Sequence, residues 1–323
     1  MILVAGGAGY IGSHLVKELV EKEEVLVLDN LSTGHLESVD ERATFIQADI
    51  GDFNHLDTIF SEYPIRAVMH FAASSLVGES VIDPKKYYAN NVGATLNLLN
   101  VMVKHRVGRM IFSSTAATYG TPNIEYIDES VPLNPINPYG KSKRMIEEIL
   151  EDYAKAYDFR FVSLRYFNAA GAHESSVIGE SHEPETHLIP IVLEQLAGFR
   201  EKVSIFGTNY DTPDGTCIRD YIHVTDLANA HILALDNLLS SDSKSAIFNL
   251  GNGQGYSVRE IIETCEKVTG LQCIVENCEK RPGDPARLVA SARKIEQVFG
   301  WKAEHNLEEI IESAWNWHRE KRF

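Results

Sequence analysis

The stretch Gly6-Gly7-Ala8-Gly9-Tyr10-Ile11-Gly12 decides how this chain folds. It follows a short apolar run at residues 1–5 and precedes a helical pattern that continues to about residue 22. Glycines at positions 6, 9 and 12 allow a tight turn and let the backbone approach a pyrophosphate at the N-terminus of the helix. Because the turn lies between a strand and a helix, it predicts a dinucleotide-binding βα unit.

A second apolar strand, predicted over residues 25–28, ends at Asp29 and Asn30. The acid follows the glycine turn by about 20 residues, the separation at which a carboxylate accepts hydrogen bonds from an adenosine ribose. A carboxylate in this place would repel a 2′-phosphate. The sequence therefore predicts NAD, rather than NADP, as the cofactor.

Strands and helices go on alternating along the first half of the chain. Further strands are predicted at 44–48, 67–71, 109–112 and 161–164, and helices at 56–60, 84–105 and 139–157. This order predicts an α/β fold with a Rossmann-type doubly wound parallel sheet. Ligands bind beyond the carboxyl ends of such strands, where Asp49, Ala72 and Thr115 are expected beside the glycine turn.

The composition changes after Asn168. Residues 169–222 are rich in Gly, His, Pro and Asp and show few regular patterns, as expected of a substrate-binding part laid over the strand ends. Residues 223–250 contain a helical pattern and an apolar strand that are expected to return to the nucleotide-binding layer. We therefore predict an NAD-binding Rossmann domain over 1–168 and a smaller α/β substrate-binding domain over 169–323.

Composition narrows the possible partners. The 323 residues carry a formal net charge of −16, which argues against binding to nucleic acid or to an acidic membrane surface. We see no apolar run of membrane-spanning length and no basic leader at the first residues. Cys217, Cys265, Cys273 and Cys278 form no C-x-x-C pair, and we expect them to be free thiols of a cytoplasmic protein.

A second motif, Asn137-Pro138-Tyr139-Gly140-Lys141-Ser142-Lys143, opens the helix predicted over 139–157. A proline at the first helical position fixes φ and starts the helix. Tyr139 and Lys143 are four residues apart and share one face. An ammonium near a phenol favours the phenolate, so we expect a lowered pKa for Tyr139 and a role as general base and acid near pH 7.

Over essentially its whole length the chain resembles the extended short-chain dehydrogenase/reductase family, and within it the enzymes that epimerise UDP-sugars at C4. The stretches that carry the resemblance are 6–14, 113–116, 139–143, 166–168, 214–224 and 281–284. The most specific of them is Asp214-Gly-Thr-Cys-Ile-Arg-Asp-Tyr-Ile-His-Val224. The resemblance implies an isomerase of galactose metabolism that interconverts UDP-glucose and UDP-galactose through a 4-keto sugar, with NAD retained between turnovers.

The resemblance also implies roles for individual residues. Tyr139 would remove the proton from the sugar 4-hydroxyl, Lys143 would hold the nicotinamide ribose, and Thr115 would bond the reacting oxygen. The residues expected to contact NAD are Gly6, Gly9, Tyr10, Ile11, Gly12, Asp29, Asn30, Asp49, Ile50, Phe71, Ala72, Ala73, Asn91, Ser113, Tyr139, Lys143 and Tyr166. Those expected to contact the UDP-hexose are Thr115, Tyr139, Phe167, Asn168, His187, Leu188, Ser204, Phe206, Arg219, Tyr221, Arg281, Asp284 and Leu288.

Within the expected substrate site, Arg219 and Arg281 would hold the diphosphate, because each guanidinium offers paired planar donors. Asp284 would bind the uridine ribose. Leu288 aligns with the residue that limits room for an N-acetyl group and is smaller than the tyrosine of restrictive members. We therefore expect some activity on UDP-N-acetylhexosamines as well.

The chain departs from its relatives at three positions. Thr115 replaces a serine, Ser75 stands where a lysine is common, and His187 occupies a place where an asparagine often contacts the sugar. His187 lies near His173 and His182, but their spacing fits no usual metal site, so we expect no metal.

Other functions remain to be weighed. A nucleotide-sugar dehydratase needs an Asp-Glu pair just after Thr115, where this chain has Ala116-Ala117 and therefore lacks the acid and base. A UDP-glucuronate 4-epimerase would use the same catalytic residues, and the sequence leaves it open. A non-catalytic NAD-sensing module stays an alternative, although such modules typically lose the Tyr/Lys pair. A homodimer is expected, because dimers are the commonest soluble oligomers, and the family resemblance implies pairing through the helices at 84–105 and 139–157.

Overall fold

The computed structural model describes residues 1–281, 283–320 and 323. Pro282, part of the motif at 281–284, lies outside the described residues, as do residues 321 and 322. The strands, numbered in chain order, are β1 Ile2–Ala5, β2 Val25–Asp29, β3 Thr44–Gln47, β4 Ala67–His70, β5 Arg109–Thr115, β6 Arg160–Tyr166, β7 Asn168–Ala170, β8 Val203–Phe206, β9 Ile218–Arg219, β10 Tyr221–His223, β11 Ala246–Leu250, β12 Tyr256–Ser257, β13 Val275–Cys278 and β14 Arg287–Leu288. The helices are α1 Tyr10–Leu19, α2 Phe53–Glu62, α3 Val77–Ile82, α4 Pro84–Tyr87, α5 Ala94–Lys104, α6 Pro138–Ala156, α7 Leu188–Leu196, α8 Val224–Leu238, α9 Val258–Thr269, α10 Arg293–Phe299 and α11 Leu307–Glu320.

A seven-stranded sheet organises the first compact unit of the chain, which comprises Met1–Gly120, Pro132–Tyr166 and Ala228–Phe248. The strand order is β11-β6-β5-β4-β1-β2-β3. The neighbours from β6 to β3 run parallel, and β1 is fully buried between β4 and β2. A parallel sheet is covered by helices on both faces, which explains its continuous apolar strands. The predicted Rossmann-type α/β fold is confirmed.

An apolar cluster joins the sheet to the helices of this unit. It combines strand residues such as Leu26 and Met110 with Leu56 of α2, Leu98 of α5 and Leu150 of α6, each almost fully buried. Burial of one such side chain contributes about 1.5–3 kcal/mol. The helices are therefore held against the sheet whose strand ends carry the predicted site.

The prediction of a single helix over 84–105 is wrong in one respect, because the α-helix is interrupted. The structure has α4, then a π-helical segment at Tyr88–Gly93, then α5. Within that segment the buried Asn91 side chain accepts the Ser74 N–H (2.8 Å) and donates to the Ser74 carbonyl and the Ser142 hydroxyl (both 3.0 Å). Hydrophobic periodicity does not report such a segment, which is frequent at functional sites.

The second compact unit consists of Thr121–Val131, Phe167–Leu227 and Asn249–Phe323. It holds a parallel pair β10-β7, a three-stranded sheet β12-β9-β14 and a parallel pair β13-β8. Helices α7, α9 and α11 pack together around an apolar cluster that includes Val192, Ile261 and Ile311. None of the helices in the described part of the chain combines the length and the apolar character needed to cross a bilayer.

The division into units differs from the predicted one around residues 121–131, which a boundary at 168 would assign to the first domain. The Ile127 N–H donates to the Val289 carbonyl (2.9 Å), and the Ile127 carbonyl accepts the Ser291 N–H (2.8 Å). The Asn249 side chain donates to the same carbonyl (2.9 Å). These backbone bonds join parts of the sequence more than a hundred residues apart, so local patterns could not report them.

A buried ion pair holds α6 against β5 and β6. The Glu147 carboxylate accepts bonds from Arg165 (2.6 Å from Nη2) and from the hydroxyls of Ser114 (2.7 Å) and Ser163 (2.8 Å). Arg165 also donates to the Tyr119 hydroxyl (2.9 Å). Both charged side chains are almost fully buried, so each depends on the other for its solvation.

We expect Arg165→Met to destabilise the protein by about 3–5 kcal/mol, because it leaves the Glu147 charge buried without its partner. Denaturant unfolding followed by fluorescence would measure the loss. Lys155→Met is the matched control, since it removes an exposed ion pair with Asp152 on the same helix and should change stability little. Equal effects of the two substitutions would contradict the assignment.

Candidate active site

The glycine turn joins β1 to α1 with very little space around it. Gly6 has a φ of +81°, and a Cβ at this position would lie 2.4 Å from the Ala72 nitrogen. A Cβ at Gly12 would lie 2.1 Å from the Gly6 carbonyl oxygen. The N-cap of α1 is Gly9, which has no side chain to bond the first N–H groups of the helix. The turn therefore presents donors and the positive end of a helix dipole to an anion.

Asp29 ties the end of β2 to that turn. One carboxylate oxygen accepts the Ala8 N–H (3.0 Å) and the other accepts the Leu31 N–H (2.8 Å). A carboxylate oxygen has more than one acceptor position, so both can still receive ribose hydroxyls. Asn30 donates to Asp49 (2.8 Å), which places these two predicted NAD contacts side by side. The buried Ile50 follows Asp49 in the chain.

The strand end after β4 supplies the next group. The N–H groups of Phe71 and Ala72 both donate to the Ala5 carbonyl (2.7 and 3.0 Å), which fixes the backbone leading into Ala73. The Phe71 ring packs on His231, with ring centres 4.8 Å apart. His231 and the Asn91 partners Ser74 and Ser142 were missed by the sequence analysis, because they belong to no motif. The segment after β4 therefore has a fixed backbone, and Ala72 and Ala73 give it small side chains.

Thr115, Tyr139 and Lys143 meet where β5 ends and α6 begins. The Lys143 ammonium donates to the Ser113 carbonyl (2.8 Å) and lies 4.9 Å from the centre of the Phe112 ring. Tyr139 and Thr115 are joined by a side-chain hydrogen bond. The Asn137 side chain accepts the Gly140 N–H (2.8 Å) and caps α6, with Pro138 in its first turn. The motif thus places a phenol beside a hydroxyl, with a buried amine four residues further along the same helix.

The predicted lowering of the Tyr139 pKa is wrong for this structure. Burial raises the pKa of the Tyr139 phenol, and the hydrogen bond with Thr115 only opposes the rise. The same burial lowers the pKa of Lys143 to about 7, against the attraction of the Glu147 carboxylate. Low-dielectric surroundings penalise a phenolate and an ammonium alike. The Lys143 ammonium is, moreover, directed at the Ser113 carbonyl.

Ser113 and Tyr166 form a further contact close to Lys143. Their hydroxyls are hydrogen-bonded, and burial raises the pKa of the Tyr166 phenol. The Tyr166 ring lies 6.0 Å from that of His231. These two residues support the strand ends beside Lys143, and both were predicted to contact NAD.

In the second unit, four predicted substrate residues are grouped in two pairs. Arg219 forms an ion pair with Asp284. The guanidinium of Arg281 lies 3.8 Å from the centre of the Phe206 ring. Arg219 is also the residue of β9 that faces Leu288 across the pairing with β14. The unit therefore contains two planar guanidinium groups of the kind that suits phosphate groups, one beside a carboxylate and the other over an aromatic ring.

The other predicted substrate residues of the second unit are spread over four elements, β7, β8, β10 and α7. Asn168 of β7 pairs with Tyr221 of β10, and its side chain donates to the Asp220 carbonyl (2.7 Å). Phe167 directly precedes that strand, and Ser204 lies in β8, opposite Glu276 of β13. His187 is the N-cap of α7, whose first residue is Leu188, and Glu180 raises the pKa of the His187 imidazole.

We expect Gly12→Ala to abolish dinucleotide retention, because the new Cβ would displace the Gly6 carbonyl and the Gly7 backbone. The NAD content of the purified, heat-denatured protein measures this directly. Gly78→Ala is the matched control, since a Cβ at that position meets no atom within 4 Å. Full NAD content in the Gly12 variant would refute the proposed role of the turn.

Comparison with known proteins places this geometry in a family. The NAD dependent epimerase/dehydratase family matches residues 2–251. A UDP-glucose 4-epimerase from Halalkalibacterium halodurans is 54% identical over 321 residues, which are 99% of this chain and 96% of that protein. The crystal structure of UDP-glucose 4-epimerase from Brucella ovis in complex with NAD is 46% identical, with a TM-score of 0.94 and 97% of each chain covered.

A further solved structure, UDP-glucose 4-epimerase from Bifidobacterium longum in complex with NAD+ and UDP, is 39% identical with a TM-score of 0.94 and covers 99% of this chain and 98% of that one. The match therefore extends over both compact units. The glycine turn, the acid at the end of β2 and the Tyr139–Lys143 pair lie within the matched region. On these grounds the chain belongs to the NAD dependent epimerase/dehydratase family.

Proposed function

We propose that this protein is an NAD-dependent isomerase that interconverts UDP-glucose and UDP-galactose at C4 of the sugar through a 4-keto intermediate. The observation that carries the proposal is the hydrogen bond between the side chains of Tyr139 and Thr115, with the buried Lys143 amine one helical turn further along α6 and bonded to the Ser113 carbonyl. This arrangement supplies a proton acceptor and an orienting hydrogen bond at one place. The relatives named UDP-glucose 4-epimerase, similar over almost the full chain, support the choice of substrate.

The chain's own residues account for the movement of the proton. Tyr139 takes the proton from the 4-hydroxyl as C4 becomes a carbonyl, and Thr115 donates a hydrogen bond to the same oxygen. When bound, NAD supplies the oxidant for C4 and a positive charge that favours the phenolate of a neighbouring tyrosine. After the 4-keto sugar has turned over, C4 regains its hydride on the opposite face and Tyr139 returns the proton to the 4-oxygen, so that the reaction is balanced.

Because the overall reaction is redox-neutral, the cofactor has no need to leave between turnovers. The glycine turn, the α1 N-terminus and Asp29 form a cradle suited to tight retention of a dinucleotide. Arg219 and Arg281 would hold the UDP diphosphate, and Asp284 the uridine ribose. Anchoring the substrate through its nucleotide leaves the sugar free to turn over.

Three finer assignments belong to the same proposal. Galactose metabolism follows from the substrates. A cytoplasmic location is supported by the four free thiols.

A homodimer paired through α5 and α6 is supported by the exposed apolar residue Met145 on α6, of which 42% is accessible.

The direct test is incubation of the purified protein with UDP-galactose and no added NAD, followed by an assay for UDP-glucose. We expect conversion, because the retained cofactor is regenerated in every turnover. Conversion only after NAD is added would leave the chemistry in place and refute the tight retention. Bound NAD without conversion would refute the substrate.

Tyr139→Phe should lower turnover by at least about 10²-fold, the contribution of a positioned general acid–base group, while NAD remains bound. Tyr157→Phe is the matched control, since that tyrosine is exposed at the C-terminal end of the same helix and should leave turnover unchanged. Full activity in the Tyr139 variant would refute its role as the base.

We also propose that the pocket accepts UDP-N-acetylhexosamines, because Leu288 leaves more room than a tyrosine would. Leu288→Tyr should suppress conversion of UDP-GlcNAc at least tenfold while UDP-galactose is still converted, as measured by chromatography of the products. The activity on UDP-galactose serves as the internal control. If the unsubstituted enzyme converted no UDP-GlcNAc, the proposal would fail.

A further inference from the structure

The segment before α7 brings two histidines and two carboxylates together. We call Glu180, His182, Glu185 and His187 the 180–187 cluster. Each residue offers one ligand atom, and the four atoms all lie within 4.8 Å of one another. The carboxylates are deeply buried, with 5% and 4% of their side chains exposed, whereas the two imidazoles have 26% and 51% exposed. A cation could therefore reach the cluster from the histidine side.

The distances within the cluster resemble those of a tetrahedral metal site. Zn²⁺ holds nitrogen and oxygen ligands at about 2.1 Å, which places tetrahedral ligands about 3.4 Å apart. The Glu180 oxygen lies 3.3 Å from His182 Nδ1, and the two Glu185 oxygens lie 3.6 and 3.8 Å from His187 Nδ1 and His182 Nδ1. The fourth contact, between Glu180 and His187, is a closer hydrogen bond. Small side-chain movements would therefore place four ligands around one ion.

We propose that the 180–187 cluster binds one divalent transition-metal ion, with Zn²⁺ as the first choice. Two imidazoles and two carboxylates are a donor set that suits Zn²⁺ and its neighbours rather than Ca²⁺ or Mg²⁺, which prefer oxygen ligands alone. The proposal rests on the geometry of these four residues and does not depend on the proposed activity.

The surrounding structure holds the ligands in place. A Glu185 oxygen accepts the N–H groups of Thr186 and His187 (2.6 and 2.8 Å), and the Glu180 carbonyl accepts the Trp317 indole N–H (2.9 Å). Hydrogen bonds of this kind orient metal ligands and raise their affinity. Because His187 caps α7 next to Leu188, a bound ion would fix the start of a helix that we expect to contact the sugar.

The proposed site differs from the sequence-based expectation of no metal, which was drawn from the spacing of the histidines. That expectation grouped His173 with His182 and His187, but His173 bonds the Ser175 hydroxyl (2.7 Å) instead. Glu180 and Glu185 complete the set, and carboxylates in so acidic a sequence do not stand out before the fold is known. The pattern Glu-x-His-x-x-Glu-x-His over 180–187 is the signal that was missed.

The test is equilibrium dialysis of the full-length, chelator-treated protein against Zn²⁺, with bound metal measured by mass spectrometry. We expect one ion per chain, and at least tenfold weaker binding in His187→Gln and in the His182→Gln/His187→Gln double variant. His55→Gln is the matched control, since that exposed histidine lies on α2, outside the cluster, and its loss should leave binding unchanged. No binding by the wild type, or equal binding by the double variant, would overturn the proposal.

Substitution of Co²⁺ separates this site from one formed by the four cysteines. A site of imidazole and carboxylate gives visible ligand-field bands without thiolate charge-transfer absorption in the near ultraviolet. Strong charge-transfer absorption would assign the ion to cysteine and refute the proposal. This readout needs no catalytic turnover, so it stands or falls separately from the epimerase assay.

Discussion

The buried charge of Glu147 is the constraint on which the candidate active site in the first unit depends. Arg165 neutralises the charge of its carboxylate, and two serine hydroxyls, one from β5 and one from β6, donate hydrogen bonds to it. A charge buried in this way tolerates little displacement, since each lost bond leaves an unsolvated group. Glu147 lies four residues after Lys143 and eight after Tyr139, so all three occupy one face of α6. The ion pair thus fixes where the phenol and the amine point.

The low dielectric constant around these buried groups makes their ionisation sensitive to nearby charges. Burial works against the phenolate of Tyr139 and against the ammonium of Lys143. A positive charge introduced next to the phenol meets little screening and therefore has a large effect on its ionisation. The ionisation of the Tyr139 phenol is in this way coupled to the presence of a cationic group, whereas a solvent-exposed tyrosine would barely respond.

Features that depend on short stretches of sequence could be predicted. The glycine turn, the acid at the end of β2 and the N-terminus of α6 each follow from a few neighbouring residues, and the parallel sheet follows from their order. Features set by contacts distant in sequence could not. The π-helical segment forms where Asn91 bonds Ser74 and Ser142, and the direction of the Tyr139 pKa depends on burial that a motif does not encode.

Each unit is assembled from separate segments of the chain, and this has consequences for the synthesis and the evolution of the protein. The chain passes from one unit to the other after residues 120, 131, 166, 227 and 248. Neither unit is therefore a continuous segment, and no single cut releases either one intact. During synthesis neither unit can be completed before distant parts of the chain have been made. In the second unit, for example, Ile127 forms its backbone bonds with Val289 and Ser291. Recombination that exchanges one continuous block of sequence therefore cannot transfer the whole second unit alone.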